Sequence, residues 1–134
     1  QTGRYGMVLP RFVEAAKANE PIRVFGDGQQ SRCFCHVNDT IEALLRLANC
    51  DNAAGNVFNI GSTEEVTILG LAKRVVELTG SQSPIELVPY EEAYDPGFED
   101  MQRRKPVIDK LEQFTGFRPA TPLDDIIRSV AGIA

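Results

Sequence analysis

The sequence has no Trp, one His and three Cys among its 134 residues. Each shortage closes a door. A Ser-His-Asp arrangement would have to use His36, which follows a short strand candidate, precedes the start of a helix and has no nucleophile elbow; it reads as structural. The odd cysteine count (Cys33, Cys35, Cys50) argues against a fully paired disulfide framework. With no basic, apolar leader in view, it predicts reduced thiols and a cytoplasmic setting. The first residue is Gln rather than Met, which predicts that the sequence does not begin at a natural translation start. No apolar run approaches the roughly 20 residues that span a bilayer, so no membrane partner is expected. Basic residues are in the minority: 14 Lys and Arg face 19 Asp and Glu, for a net charge of −5. That excludes the broad positive field of a general nucleic-acid binder. An anionic ligand would have to be held by particular arginines, because the average field repels it.

What is present fits one soluble domain, residues 1–134, with 43% apolar and 25% charged residues. Phe12, Val13, Ala15 and Ala16 mark a helix over 10–19, and Ile22 to Phe25 a short strand. Gly26-Asp27-Gly28 is turn chemistry. Cys33 to Val37 alternates and is expected to be extended. Cys33, Cys35 and His36 hint at a metal, but a lone Cys-x-Cys-His lacks a second ligand pair, and the residues are read as small side chains on a strand with no metal. Asp39-Thr40-Ile41-Glu42 predicts a capping box, followed by a helix burying Ile41, Leu44, Leu45, Leu47 and Ala48. Val57 to Ile60 predicts a strand, and a sheet edge whose partners are missing. Thr67 opens a helix closed by Gly80, and Ile85 to Val88 is a further strand. Residues 89–104 read as a polar, acidic loop carrying Glu91, Glu92, Asp95, Glu99 and Asp100. A short helix follows Pro106 and stops at Gly116. In the last helix Thr121 is the expected N-cap and Pro122 the first helical residue. The sum is a mixed α/β (α+β) domain of about five helices and short, scattered strands.

Two familiar pieces of chemistry fail on context. Gly26-x-Gly28 after a strand imitates a dinucleotide fingerprint. The third glycine is missing, however, and Cys33 to Val37 follows where a helix should open. A short-chain hydride-transfer enzyme needs a Tyr activated by a Lys four residues on. The positions four after Tyr5, Tyr90 and Tyr94 hold Leu9, Tyr94 and Phe98. No self-sufficient catalytic centre is expected.

Taken in order, several segments resemble the carboxy-terminal half of extended short-chain dehydrogenases that act on nucleotide sugars: the epimerases, dehydratases and glucuronate decarboxylases. They are Tyr5-Gly6, Pro10-Arg11-Phe12, the run Ile22 to Phe34, Val37-Asn38-Asp39, Val57 to Gly61, Arg103 to Pro106, and Thr115 to Pro119. The resemblance implies a substrate-binding domain whose NAD-binding Rossmann half lies outside this sequence. NAD would then belong to an intact, homodimeric parent that transiently oxidises the sugar at C4, while the fragment binds no cofactor and has no catalytic residue. It implies Arg32 and Arg104 as contacts to the diphosphate of a UDP- or dTDP-sugar, where two guanidiniums can fork onto phosphate oxygens. Phe25 and Arg23 are implied beside the base, with Val8 as an apolar contact. Asn59 and Asp39 are read as structural. The sequence departs from the family at Val107, where an Asp often meets the ribose. The acidic stretch Tyr90 to Asp100 is longer than expected and reads either as a lid anchored by Tyr90, Tyr94 and Phe98 or as a solvated loop. Two alternatives stand beside this reading: a non-catalytic nucleotide-sugar-binding module, and a protein-interaction domain that self-associates through exposed edges and apolar surface.

Overall fold

The computed structural model describes residues 7–90 and 101–134. Tyr5-Gly6 and the acidic residues 91–100, with Tyr94 and Phe98, lie outside them. Among the described residues there are five α-helices: α1 (Val8–Lys17), α2 (Val37–Ala48), α3 (Ile68–Thr79), α4 (Asp109–Thr115) and α5 (Leu123–Ala131). Strands β1 (Ile22–Phe25) and β4 (Ile85–Val88) form a parallel pair, Ile22 opposite Ile85. The strands β2 (Ser31–Cys33), β3 (Glu65–Thr67) and β5 (Arg103–Arg104) form a second sheet with β2 in the centre, antiparallel to β3 and parallel to β5. The mixed α/β class and the helix count are as the periodicity predicts.

One core joins α1, α3 and α5 over β1. Phe12, Val13, Ile22, Val24, Leu71, Val75 and Ile127 are each no more than 5% exposed. α1 starts at Val8, earlier than expected, which puts Pro10 in the first turn, where its missing N–H has no helical partner to lose. α3 is closed at both ends by local chemistry. Thr67 Oγ1 accepts from Gly70 N–H at 3.0 Å, and Gly80 sits at φ 63° in the left-handed region.

The other two predicted caps are corrected. α2 begins at Val37, and its N-cap is His36, whose Nδ1 accepts from Asn38 N–H at 3.1 Å. Asp39 is therefore inside the first turn, and its carboxylate accepts instead from Thr121 N–H at 3.0 Å. α5 is capped by Pro122 with no side-chain bond of its own. Its first N–H, that of Leu123, donates to Glu64 Oε2 at 2.8 Å. At α2 the neighbouring His36 does what Asp39 was expected to do, and at α5 the distant Glu64 does what Thr121 was expected to do.

Two further expectations fail for one reason. The predicted buried face of α2 is largely open: Ile41, Leu44 and Leu45 are 48%, 54% and 55% exposed, and only Ala43 is buried. The predicted strand at Val57 to Ile60 joins no ladder among the described residues, and Val57 is 84% exposed. Both segments carry the pattern of buried elements, yet the described residues cover only part of their apolar surface. The extended run from Cys33 also stops pairing at Cys33, since the chain turns into α2 four residues later.

Candidate functional site

Strand pairing brings together the two arginines singled out in the sequence. In the parallel β2–β5 register Arg32 lies opposite Arg104. Residues directly opposite share one face of a sheet, on strands roughly 4.8 Å apart. The two side chains thus start from neighbouring points although 72 positions separate them in sequence. Arg32 is half-buried, and its Nη1 donates to Ser31 O and to Met101 O, each at 2.7 Å. Arg104 is exposed.

These arginines line a cleft of about 510 Å³ at the carboxyl ends of β2 and β5. Its other walls are Cys33, Cys35, the segment 59–62 and residues 105–107. Among the described residues that line it, three are cationic (Arg32, Arg104 and Lys105) and none is acidic. In a chain of net charge −5 that local excess is the reverse of the average. A cleft with fixed cations is suited to a polyanion, and arginine forks match phosphate oxygens. Lys105 was not singled out in the sequence, although the run Arg103-Arg104-Lys105 was the available signal. Burial pushes the Cys33 thiol up, with Glu65 adding to the shift and Lys105 and Arg103 opposing it. Asn59 Nδ2 donates to Val107 O at 3.2 Å, which ties one wall of the cleft to the other. Among the described residues no three His, Cys, Asp or Glu cluster to hold a metal ion.

On the other side of the sheet Glu65 gathers three strands. Arg103 donates to it through Nε (2.8 Å, Oε1) and a terminal nitrogen (2.9 Å, Oε2). Ser31 Oγ donates to Oε1 at 2.5 Å. The Arg103 bonds, then the Ser31 bond, hold the Glu65 carboxyl far below its ordinary 4.5, at about 2.

The remaining sequence candidates are elsewhere. Phe25 ends β1, and the Arg11 guanidinium stands 5.5 Å from its ring centroid, a cation–π arrangement. Arg23 is exposed and borders a second cleft of about 780 Å³, whose walls mix Arg11 with Glu14 and Glu20. Val8 packs against the core from α1. None of the three lines the arginine cleft. The glycine turn leads into β2 and not into a helix. Gly28 has φ 71°, and a Cβ there would stand 2.8 Å from both Leu69 Cβ and Val24 Cγ1. Close packing, as well as turn geometry, explains the glycine.

Comparison with known proteins bears on family and fold. The profile of the NAD dependent epimerase/dehydratase family matches residues 1–61. The UDP-N-acetyl-alpha-D-glucosaminuronate decarboxylase of Bacillus cytotoxicus is 40% identical over 117 residues, 87% of this chain and 36% of that protein. UDP-glucuronic acid decarboxylase 4 of Arabidopsis thaliana is 37% identical over 118 residues, 88% of this chain and 25% of the relative. The chain thus spans about a quarter to a third of the curated relatives it matches. In fold it resembles an epimerase from Methanothermobacter thermautotrophicus, with TM-score 0.86, 23% identity and coverage of 97% of this chain and 37% of that one. It also resembles the UDP-glucuronic acid 4-epimerase of Bacillus cereus, solved with UDP-glucuronic acid and NAD, with TM-score 0.82, 23% identity and coverage of 94% and 38%.

Proposed function

The chain belongs to the NAD-dependent epimerase/dehydratase family, and from that premise we propose that it is the nucleotide-sugar-binding part of a larger enzyme, with the arginine cleft as the seat of the diphosphate. The observation that carries the reading is the pairing of Arg32 with Arg104 at a cleft to which the described residues bring three cations. Curated relatives named for UDP-sugar decarboxylation support a UDP-sugar over other anions. The base and ribose are assigned to residues outside the cleft, with Phe25, Arg23 and Val8 as the candidates. The reaction of the whole enzyme would be a transient oxidation of the sugar at C4 by NAD.

The glycine turn at Gly26 to Gly28 does not have the form of a dinucleotide site. A dinucleotide pyrophosphate rests on a helix N-terminus reached through a glycine turn, and here the glycine turn opens a strand. NAD and the Tyr-x-x-x-Lys pair are therefore assigned to another part of the enzyme, and this chain alone is not catalytic. Its own residues bind and orient: paired guanidiniums fix the diphosphate, and the half-buried Arg32 gives that grip a rigid base.

The test is calorimetric titration of the full-length protein with UDP. Arg32→Ala and Arg104→Ala should each weaken binding at least about tenfold, near the worth of one charge-assisted phosphate contact. Unchanged affinity in both variants would remove the cleft from the binding site.

A further inference from the structure

β5 is a weak element in a demanding place. It has two residues, Arg103 and Arg104, and only two register pairs with β2. Alternation along a strand sends those two side chains to opposite faces. Arg104 borders the cleft, and Arg103 meets Glu65 on the far side. Glu65 lies on β3, which is not adjacent to β5; its carboxylate reaches across β2 and takes the Ser31 hydroxyl as well. One side chain thus fastens all three strands. The chain entering β5 has a second hold, since Arg32 Nη1 grips Met101 O. That second hold uses the same guanidinium that the proposed ligand would recruit. The Glu65–Arg103 fork, a bidentate pair with one bond to each carboxylate oxygen, does not compete with a ligand in the cleft.

We propose that Glu65 and Arg103 are positioning residues for anion binding: their fork fixes β5 against β2, so that Arg104 stands beside Arg32 when the cleft is filled. This rests on the reading of the cleft as a diphosphate site. The expected signature is a loss confined to the phosphate part of the ligand.

The experiment titrates the full-length protein with UDP and, separately, with uridine. Glu65→Gln keeps the size of the side chain and can still accept from Ser31, so the fold should survive; Arg103→Ala removes the other arm. Each should weaken UDP about tenfold and leave uridine within about twofold. The exchanged pair, Glu65→Arg with Arg103→Glu, should recover most of the UDP affinity. Parallel loss of UDP and uridine would mark a general structural defect and overturn the inference. Loss in Arg103→Ala without recovery in the exchanged pair would mark direct contact by Arg103, and overturn it too. Arg104→Ala separates the two levels. If it weakens UDP while Glu65→Gln and Arg103→Ala do not, the positioning role is wrong and the site stands. If Arg104→Ala and Arg32→Ala change nothing, the site itself is wrong.

Discussion

Glu65 keeps its charge far into acid, and that has a measurable direction. Its carboxyl is lowered from 4.5 to about 2, first by Arg103 and then by Ser31. A lowered folded-state value contributes stability above the unfolded value, and the contribution is lost as pH falls through the folded one. The melting temperature of the wild type should therefore exceed that of Glu65→Gln by a constant margin from about pH 7 to about pH 5, and the margin should close between about pH 4.5 and about pH 2. A margin that persists at the acid end would refute the assignment. Cys33 moves the other way: burial raises it, so its alkylation near pH 8 should be slower than that of a free peptide thiol. At this scale the sequence was only partly legible. Arg32 and Arg104 were found through resemblance, because no local pattern ties two residues 72 positions apart. The fork of Glu65 and Arg103 was invisible, since it depends on a third strand lying between them.

Elements were legible where their ends are made locally. α3 announces both of its ends, with Thr67 at one and Gly80 at the other. Thr67→Ala should cost about 1 kcal/mol in urea unfolding by loss of the bond to Gly70 N–H. Gly80→Ala should also destabilise by about 1 kcal/mol, because Gly80 holds φ 63°. Equal stability of either variant with the wild type would show that the caps are idle. α2 and α5 were misread at their starts because His36 displaced Asp39 from the cap and Glu64 reached in to serve Leu123. A carboxylate about sixty residues away leaves no trace in a local window. Within α5, Ile127 is fully buried; Ile127→Ala should cost about 2–5 kcal/mol in the same measurement.

The whole molecule shows where amphipathic reasoning stops. The spacing of Ile41, Leu44 and Leu45 correctly marks an apolar face, yet the face is about half exposed among the described residues. Pattern says that a face is meant to be covered; it does not say by what. Under the proposed reading the cover is the remainder of the enzyme. The isolated chain should then self-associate in light scattering, and Leu44→Glu with Leu45→Lys should return it toward the monomer mass. A monodisperse wild-type monomer would count against this. The mixed class and the helix order were legible because they follow from periodicity; the division into two sheets was not, since strand partners are chosen in three dimensions. That division carries a kinetic consequence. β1 and β4 pair in parallel across about sixty intervening residues, and loop-closure entropy must be met before that ladder returns any enthalpy. The sheet is therefore a late event in refolding. Helical signal after dilution from denaturant should recover ahead of the protection of the amides of Ile22 and Gly26, which bond to Pro84 and Val88 across the closed loop.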